Sequence, residues 1–376
     1  MGSREQGKKI IVYVYYAITA FGGIERVFVD KMSCLADMGY EVYLLTANQG
    51  PHHLSFPLSD RVHFEDLNVR THLQYEYKGF RRYWERFWRN KQLYKRLSEK
   101  IQMIQPDILV CSTNGYISEL VKLKGDIPLI VESHAGFDNV IEDTDVSLRR
   151  RIERKHLLKK LYKADVIVAL TESDAQKWKM RYPVVKTIPN VVHLNDSGLY
   201  STGDNKRVIF VGRNCRQKAI PDLLKIWSMV HSKYPDWQLD MYVEREISEL
   251  VKEAKALNAN INVFPPVDDI MNRYLQSSIL VLTSLYEPFS LVIAEAMSCG
   301  LPVVSFEGDG PSSIISDGQD GFLIKNRSNE AFASRVCQLI EDHGLRHSMG
   351  QKAITSVQRY SAEQIMPKWI ELFGSI

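Results

Sequence analysis

SLYEPFSLVIAEAMSCGLPVVSF runs from Ser284 to Phe306. Leu, Val, Ile, Ala and Met dominate it, yet Glu287 and Glu295 stand eight residues apart, and Glu295 has apolar neighbours on both sides. The preceding SILVLTS (278–284) has the composition of a strand, Pro288 breaks it, and Ser290 is expected to cap a helix that begins at Leu291. That helix is apolar nearly all round, with Leu291, Val292, Ile293, Ala294, Ala296 and Met297, and Gly300 and Pro302 end it. A helix of this kind is buried. A buried carboxylate without donors is costly or becomes protonated, so Glu295 needs partners. Two sources are open: a core Arg or Lys, or a ligand with hydroxyls. The helix start offers free N–H groups and the positive end of a dipole, which suits a phosphate.

Working outward, the chain alternates strands and helices. Strands are expected at 10–16, 42–46, 107–112, 128–133 and 166–170, then at 207–212, 239–244, 261–264, 278–284 and 302–306. Between the first two, Ile24, Val27, Phe28, Met32 and Leu35 recur at helical spacing, and Gly39 supplies a stop. Further helices are expected near 219–233, 246–257, 268–277, 290–299 and 328–342. This pattern predicts an α/β protein with parallel sheets, in two Rossmann-like halves facing across a cleft. HLNDSGLYSTGDNK (193–206) is polar and unpatterned, which marks a linker or surface loop. The domains expected are 8–190, 205–360, and a C-terminal helix, 361–376, returning to the first domain, with Ser361 as its N-cap.

Composition sets outer limits. A chain of 376 residues is long enough for two cores, and 45% hydrophobic with 25% charged residues is ordinary for a soluble globular protein. A net charge of +3 is no polyanion binder's. The five cysteines are scattered without a C-x-x-C, which argues for free thiols and no zinc knot; Cys34, Cys111 and Cys299 are expected in the core. Met1 to Lys9 is polar, and Gln6 fails the myristoylation pattern, so no leader or lipid anchor is expected. The run from Pro288 to Phe306 is interrupted by Glu295, Gly300 and Pro302, so it is not read as a membrane span. The expected location is cytoplasmic.

The spacing Glu287-x7-Glu295 followed by AMSCGLPVVS resembles the E-x7-E segment of GT-B glycosyltransferases, specifically the retaining glycosyltransferase family 4. The resemblance covers most of the chain. GGIERV (22–27) resembles that family's first glycine-rich loop, and ESHAG (132–136) the segment with its active-site His. IPNVV (188–192) resembles the turn that opens the domain crossover. VGRNCRQKAIPDLLKIW (211–227) is similar to the phosphate loop, and ISDGQDGFLI (315–324) to the turn-rich stretch after the E-x7-E helix. The resemblance implies a GT-B hexosyltransferase in polysaccharide biosynthesis, moving a sugar from a UDP- or GDP-type nucleotide-sugar to a glycan or lipid-linked glycan with retention. It implies no metal and no cofactor. Catalytic roles are implied for Glu287, His134, Arg213 and Lys218. Donor binding is implied for Gly22, Gly23, Arg213, Lys218, Glu287, Phe289, Ser290, Leu291 and Glu295, with Glu295 on the ribose hydroxyls and Arg213 and Lys218 on the diphosphate. Residues near Phe264 to Val267 would line the base pocket. Front-face attack, in which the leaving phosphate takes the acceptor's proton, needs no protein nucleophile.

The chain also departs from the family. Ala219 stands where Gly usually follows the lysine, NCRQ looks inserted, and Glu244-Arg245 replaces an expected glycine turn. A reshaped donor pocket is the consequence expected. Two rivals follow: a nucleotide-sugar epimerase of the same fold, and an inactive nucleotide-sugar-binding partner subunit. KGFRRYWERFWRNKQLYKR (78–96) and RRRIERKHLLKKLYK (149–163) each carry eight Lys/Arg against one acid. Basic residues with aromatics fit an anionic membrane surface, and solvated helix faces are the plain alternative. The acceptor side falls in this half, so a peripheral membrane location is expected, and no nucleic acid. Asp143-Thr144-Asp145 spells D-x-D but does not follow a nucleotide-binding strand, and His52-His53 has no further ligands. G-x-G-x-x-G is absent, which disfavours a dinucleotide oxidoreductase.

Overall fold

A computed structural model describes residues 8–20, 22–141, 148–244 and 247–376. Asp143-Thr144-Asp145, Arg245 and the polar start Met1 to Gly7 lie outside the described residues. The chain divides into two compact units, Met1–Val191 with Met366–Ile376, and Val192–Ile365.

The first unit holds a seven-stranded parallel sheet. Its strands are β1 (Ile10–Tyr15), β2 (Glu41–Thr46), β3 (His63–Asp66), β4 (Ile108–Ser112), β5 (Leu129–Ser133), β6 (Val166–Ala169) and β7 (Val185–Thr187), in the order β3-β2-β1-β4-β5-β6-β7. β1, β4, β5 and β6 are buried along their whole length. Continuous apolar runs such as IIVYVY follow from that, because helices cover both faces of a parallel sheet. Val12, Val14, Leu109, Val131 and Ile167 form the centre of one layer, against Leu93, Leu97, Leu120 and Trp178. The C-terminal segment belongs to this unit: Lys9 Nζ donates to the Phe373 carbonyl at 2.6 Å, and the Tyr40 and Phe373 rings meet edge-on at 6.2 Å.

The second unit holds a six-stranded parallel sheet of β8 (Arg207–Arg213), β9 (Gln238–Glu244), β10 (Ile261–Phe264), β11 (Ile279–Leu282), β12 (Val303–Phe306) and β13 (Gly321–Ile324). The order β10-β9-β8-β11-β12-β13 grows outward in both directions from the β8/β11 pair. The strand order reverses at this pair, and ligands of open α/β sheets bind at the carboxyl ends of the strands there. Arg213 ends β8 and the loop after it contains Lys218; the loop after β11 leads to Glu287 and the helix Leu291–Ser298.

Three strands escaped the sequence pattern, β3, β7 and β13, as did the helices Ile117–Leu123, Phe137–Ile141, Glu172–Lys179, Asp309–Ile314 and His343–Val357. β3 and β7 are short sheet edges with partial burial and no period to read. Ser290 does not cap its helix as expected: its φ is 102°, and its hydroxyl makes no cap hydrogen bond. Cys34 is only half-buried, while Cys337 joins Cys111 and Cys299 in the interior, all as free thiols. The expected linker is partly embedded: Ser201 is buried and its N–H donates to the Cys299 carbonyl at 2.9 Å.

Candidate active site

In the second unit, the loops after β8 and β11 are stitched together. Leu285 N–H donates to the Gln217 carbonyl at 2.7 Å, and Gln217 Nε2 to the Tyr286 carbonyl at 2.9 Å. Thr283 Oγ1 donates to the Lys218 carbonyl at 3.0 Å. Arg327, on a turn after β13, donates to the carbonyls of Ser284 and Thr283 at 2.7 and 2.9 Å, pairs with Asp222 at 3.2 Å, and lies over the Phe306 ring. Gly310 N–H donates to the Glu287 carbonyl at 2.8 Å, and a Cβ at Gly310 would come within 2.1 Å of the Phe289 carbonyl oxygen. Arg327 and Gly310 carried no sequence signal, because each acts through main-chain atoms of a distant loop.

The two acids separate in role. Glu287 Oε1 accepts from Lys218 Nζ at 2.5 Å and from Ser284 Oγ at 2.7 Å, with both members of the ion pair about nine-tenths buried. Lys218, implied as a phosphate ligand, is therefore already engaged by a carboxylate. Arg213 ends β8 exposed, and its side chain makes no hydrogen bond or ion pair among the described residues. Glu295 is buried, and its Oε2 accepts from the Tyr274 hydroxyl at 3.4 Å. Its helix is held in place by the close approach of Gly350 to the Gly300 carbonyl, 2.2 Å from where a Cβ would be. Phe289 is buried edge-on against Tyr360, and Leu291 is half-buried at the helix start. Ser290 is buried with its Oγ unpartnered among the described residues, in a backbone region that L-residues avoid. Backbone strain and an unsatisfied buried hydroxyl thus coincide in one residue. Ala219 is also left-handed, with φ 47°, which explains why glycine suits that place. Phe264 stacks on Tyr242 at 5.1 Å on the β10/β9 side.

In the first unit, His134 follows β5 and is buried. Its Nε2 lies 3.0 Å from Glu132 Oε2, and the other carboxylate oxygen accepts from Lys31 Nζ. Both Lys31 and Glu132 are 1% exposed. The rings of Trp369, Phe28 and Tyr13 surround the Lys31 ammonium at 4.1, 5.0 and 5.3 Å. Burial opposes the charge of Glu132, but Lys31 and His134 outweigh it and hold the carboxyl below its ordinary range. Burial draws Lys31 below the usual lysine value, against the pull of Glu132. The His134 loop is pinned by Asp174, which accepts from Phe137 N–H at 2.6 Å and from Trp178 Nε1 at 3.1 Å. Gly22 precedes the helix Gly23–Asp37 in ordinary extended backbone; a Cβ there would meet the Glu25 carboxylate at 2.2 Å. The sequence carries a signal for Lys31. It falls with Val27, Phe28, Met32 and Leu35 on the apolar face of that helix.

Two family models match the chain in tandem, Glycosyltransferase Family 4 over residues 21–196 and Glycosyl transferases group 1 over residues 197–356. The chain belongs to the retaining glycosyltransferase family 4. It has the GT-B fold and is a glycosyltransferase that draws its sugar from a nucleotide-sugar. An uncharacterized glycosyltransferase of Haemophilus influenzae is 28% identical over 369 residues, covering 96% of this chain and 99% of that protein. The amylovoran biosynthesis glycosyltransferase AmsD of Erwinia amylovora is 26% identical over 369 residues, covering 95% and 97%. Among solved structures, an S. aureus TarM variant in complex with fondaparinux, alpha-GlcNAc-glycerol and UDP superposes with TM-score 0.78 at 15% identity, covering 97% of this chain and 99% of that one. At that identity the likeness speaks for the fold of this family 4 glycosyltransferase. No helix among its described residues is long and apolar enough to cross a membrane.

Proposed function

We propose that this glycosyltransferase moves a hexose-type sugar from a UDP- or GDP-sugar to a glycan or lipid-linked glycan acceptor, with retention. The observation that carries the reading is Ser290: strained, buried and unpartnered among the described residues, at the start of the helix that bears Glu295. In this reading the N–H groups of Phe289 to Leu291 hold sugar and phosphate, and Glu295 takes the ribose diol. Arg213 meets the charge that grows on the leaving β-phosphate, which preorganised donors stabilise without rearrangement. Lys218 acts mainly through Glu287, whose carboxylate faces the transferred sugar. For Gly22, Gly23 and His134 the proposed sugar-binding roles are those the family resemblance implies. Nothing in this scheme calls for a metal. The polysaccharide role of the amylovoran enzyme and the UDP in the TarM complex support the substrate class.

Melting curves with UDP-, GDP- and ADP-sugars test the donor. A true donor at a hundred times its dissociation constant stabilises by roughly 2.7 kcal/mol. Arg213→Ala and Glu295→Ala should abolish both that shift and turnover. No shift with any nucleotide-sugar sinks the reading. Binding without turnover under all acceptors favours the inactive partner subunit, for which the Lys218–Glu287 pairing and Ala219 speak. Interconversion of the free donor favours the epimerase.

The acceptor side carries a membrane reading. On the helix Gly79–Ile104, Leu93, Leu97 and Ile101 are buried, whereas Phe80, Tyr83, Trp84, Phe87 and Trp88 stand exposed at spacings of three and four. Arg81 lies over Tyr77 and Lys91 over Trp88. Aromatics flanked by cations suit the headgroup region of an anionic bilayer. Tyr162, after the second basic helix, is exposed too. Such a surface makes the enzyme peripheral and brings it to a lipid-linked acceptor. Vesicles with anionic lipid should retain the protein at low salt, and Trp84→Ser with Phe87→Ser should release it; no retention of the unaltered chain refutes the docking.

A further inference from the structure

His134 sits at the end of a buried relay that begins on another element. Lys31 comes from the helix Gly23–Asp37, and Glu132 and His134 from the end of β5. A buried ion pair gains little net stability once desolvation is counted, so its presence asks for another reason. The geometry supplies one. Glu132 is ionised, and a carboxylate only accepts hydrogen bonds. One oxygen takes Lys31, the other faces His134 Nε2, so that nitrogen must carry a proton. No other bond to the His134 ring occurs among the described residues, and Nδ1 is not among their sealed, unsatisfied atoms. The Phe28 ring at 5.1 Å and the pinned loop restrict the imidazole's rotation.

We propose that Lys31 and Glu132 are positioning residues that lock His134 as its Nε2–H tautomer, leaving Nδ1 as a hydrogen-bond acceptor for a hydroxyl of the bound sugar. Lys31 has a definite part in this. Its ammonium occupies one oxygen of Glu132, so the carboxylate is held with only the other oxygen turned to the imidazole. The other groups packed around the carboxylate, Tyr13 and Cys111, are neutral, because burial and the Glu132 charge both raise them. The ring of Trp369, on the C-terminal helix, covers the ammonium at 4.1 Å. The purpose assigned to the lock rests on the glycosyltransferase reading of His134; the lock itself does not.

Long-range proton–nitrogen correlation spectra of histidine-labelled, ligand-free protein read the tautomer directly, with the His134 signal assigned by its loss in His134→Ala. The unaltered protein should show protonated Nε2 and bare Nδ1 at neutral pH. Lys31→Met should free the second oxygen of Glu132 and loosen the lock, so the signal should no longer be that of one fixed tautomer. Lys31→Met with Glu132→Gln removes both charges and keeps side-chain volume, so a folded protein is expected, with mixed tautomers and a donor kcat/KM lower by about tenfold, the weight of one lost hydrogen bond. An Nδ1–H signal in the unaltered protein overturns the proposal. So does a folded double variant that keeps the Nε2–H form and full turnover. If the lock is present but His134→Ala turns over normally, its catalytic purpose is overturned and the site reading of His134 fails with it.

Discussion

The pair Lys218–Glu287 separates stability from chemistry, and a double-mutant cycle measures both. The two side chains are 10% and 8% exposed, at 2.5 Å. Removing one member of a buried pair leaves the other charge uncompensated, at a cost of about 3 kcal/mol, the low end for such sites. Glu287→Gln should lose that amount. Lys218→Met should lose somewhat less, about 2 kcal/mol, because Ser284 Oγ still donates to the stranded carboxylate. The double variant places neutral groups of similar size together and should lose no more than about 1 kcal/mol. The coupling is therefore expected to be at least about 4 kcal/mol. A unit the size of Val192–Ile365 shifts by about 2–4 °C per kcal/mol, so Glu287→Gln should melt roughly 6–12 °C lower. Urea unfolding gives the free energies, and donor turnover is followed alongside. The double variant should be near normal in stability and inactive. If the single effects add to the double within about 0.5 kcal/mol, the two residues do not interact as described. If the double variant turns over normally, Glu287 has no part in the reaction.

Other perturbations reach different parts of the molecule. Ala219→Gly relieves a left-handed alanine, worth about 1–2 kcal/mol, against about 0.4–1 kcal/mol of added unfolded-state entropy, so a small rise in melting temperature is expected; a fall refutes the strain. Gly310→Ala should force the Glu287–Ser290 loop aside, costing about 1–3 kcal/mol and donor affinity, whereas Gly374→Ala, with open space around it, should be silent in the same melting and binding assays. The Glu132 carboxyl is held low in the folded state, so its stabilisation is complete above its unfolded value near about 4.3 and is lost as pH falls through the folded value. Below about pH 4.3, the acid limb of stability should be steeper in the unaltered chain than in the Lys31→Met/Glu132→Gln variant, by up to about 1.4 kcal/mol per pH unit; equal slopes refute it.

The order of strands and helices, the GT-B resemblance and the burial of Glu295 were all legible along the chain, because each depends on local composition and short spacing. The helix Leu291–Ser298 announces its burial by being apolar all round, and Glu287 and Glu295 announce chemistry by interrupting it. The tertiary structure decided what those charges touch. Glu287 meets a lysine sixty-nine positions away, Glu132 one at a distance of one hundred and one, and Arg327 and Gly310 act on carbonyls of another loop. Such contacts are made when β8 and β11, or β1, β4 and β5, come side by side, and a linear pattern carries no trace of which donor will face which acceptor. Periodicity says that a side chain goes inside; only the packed sheet determines whom it meets there.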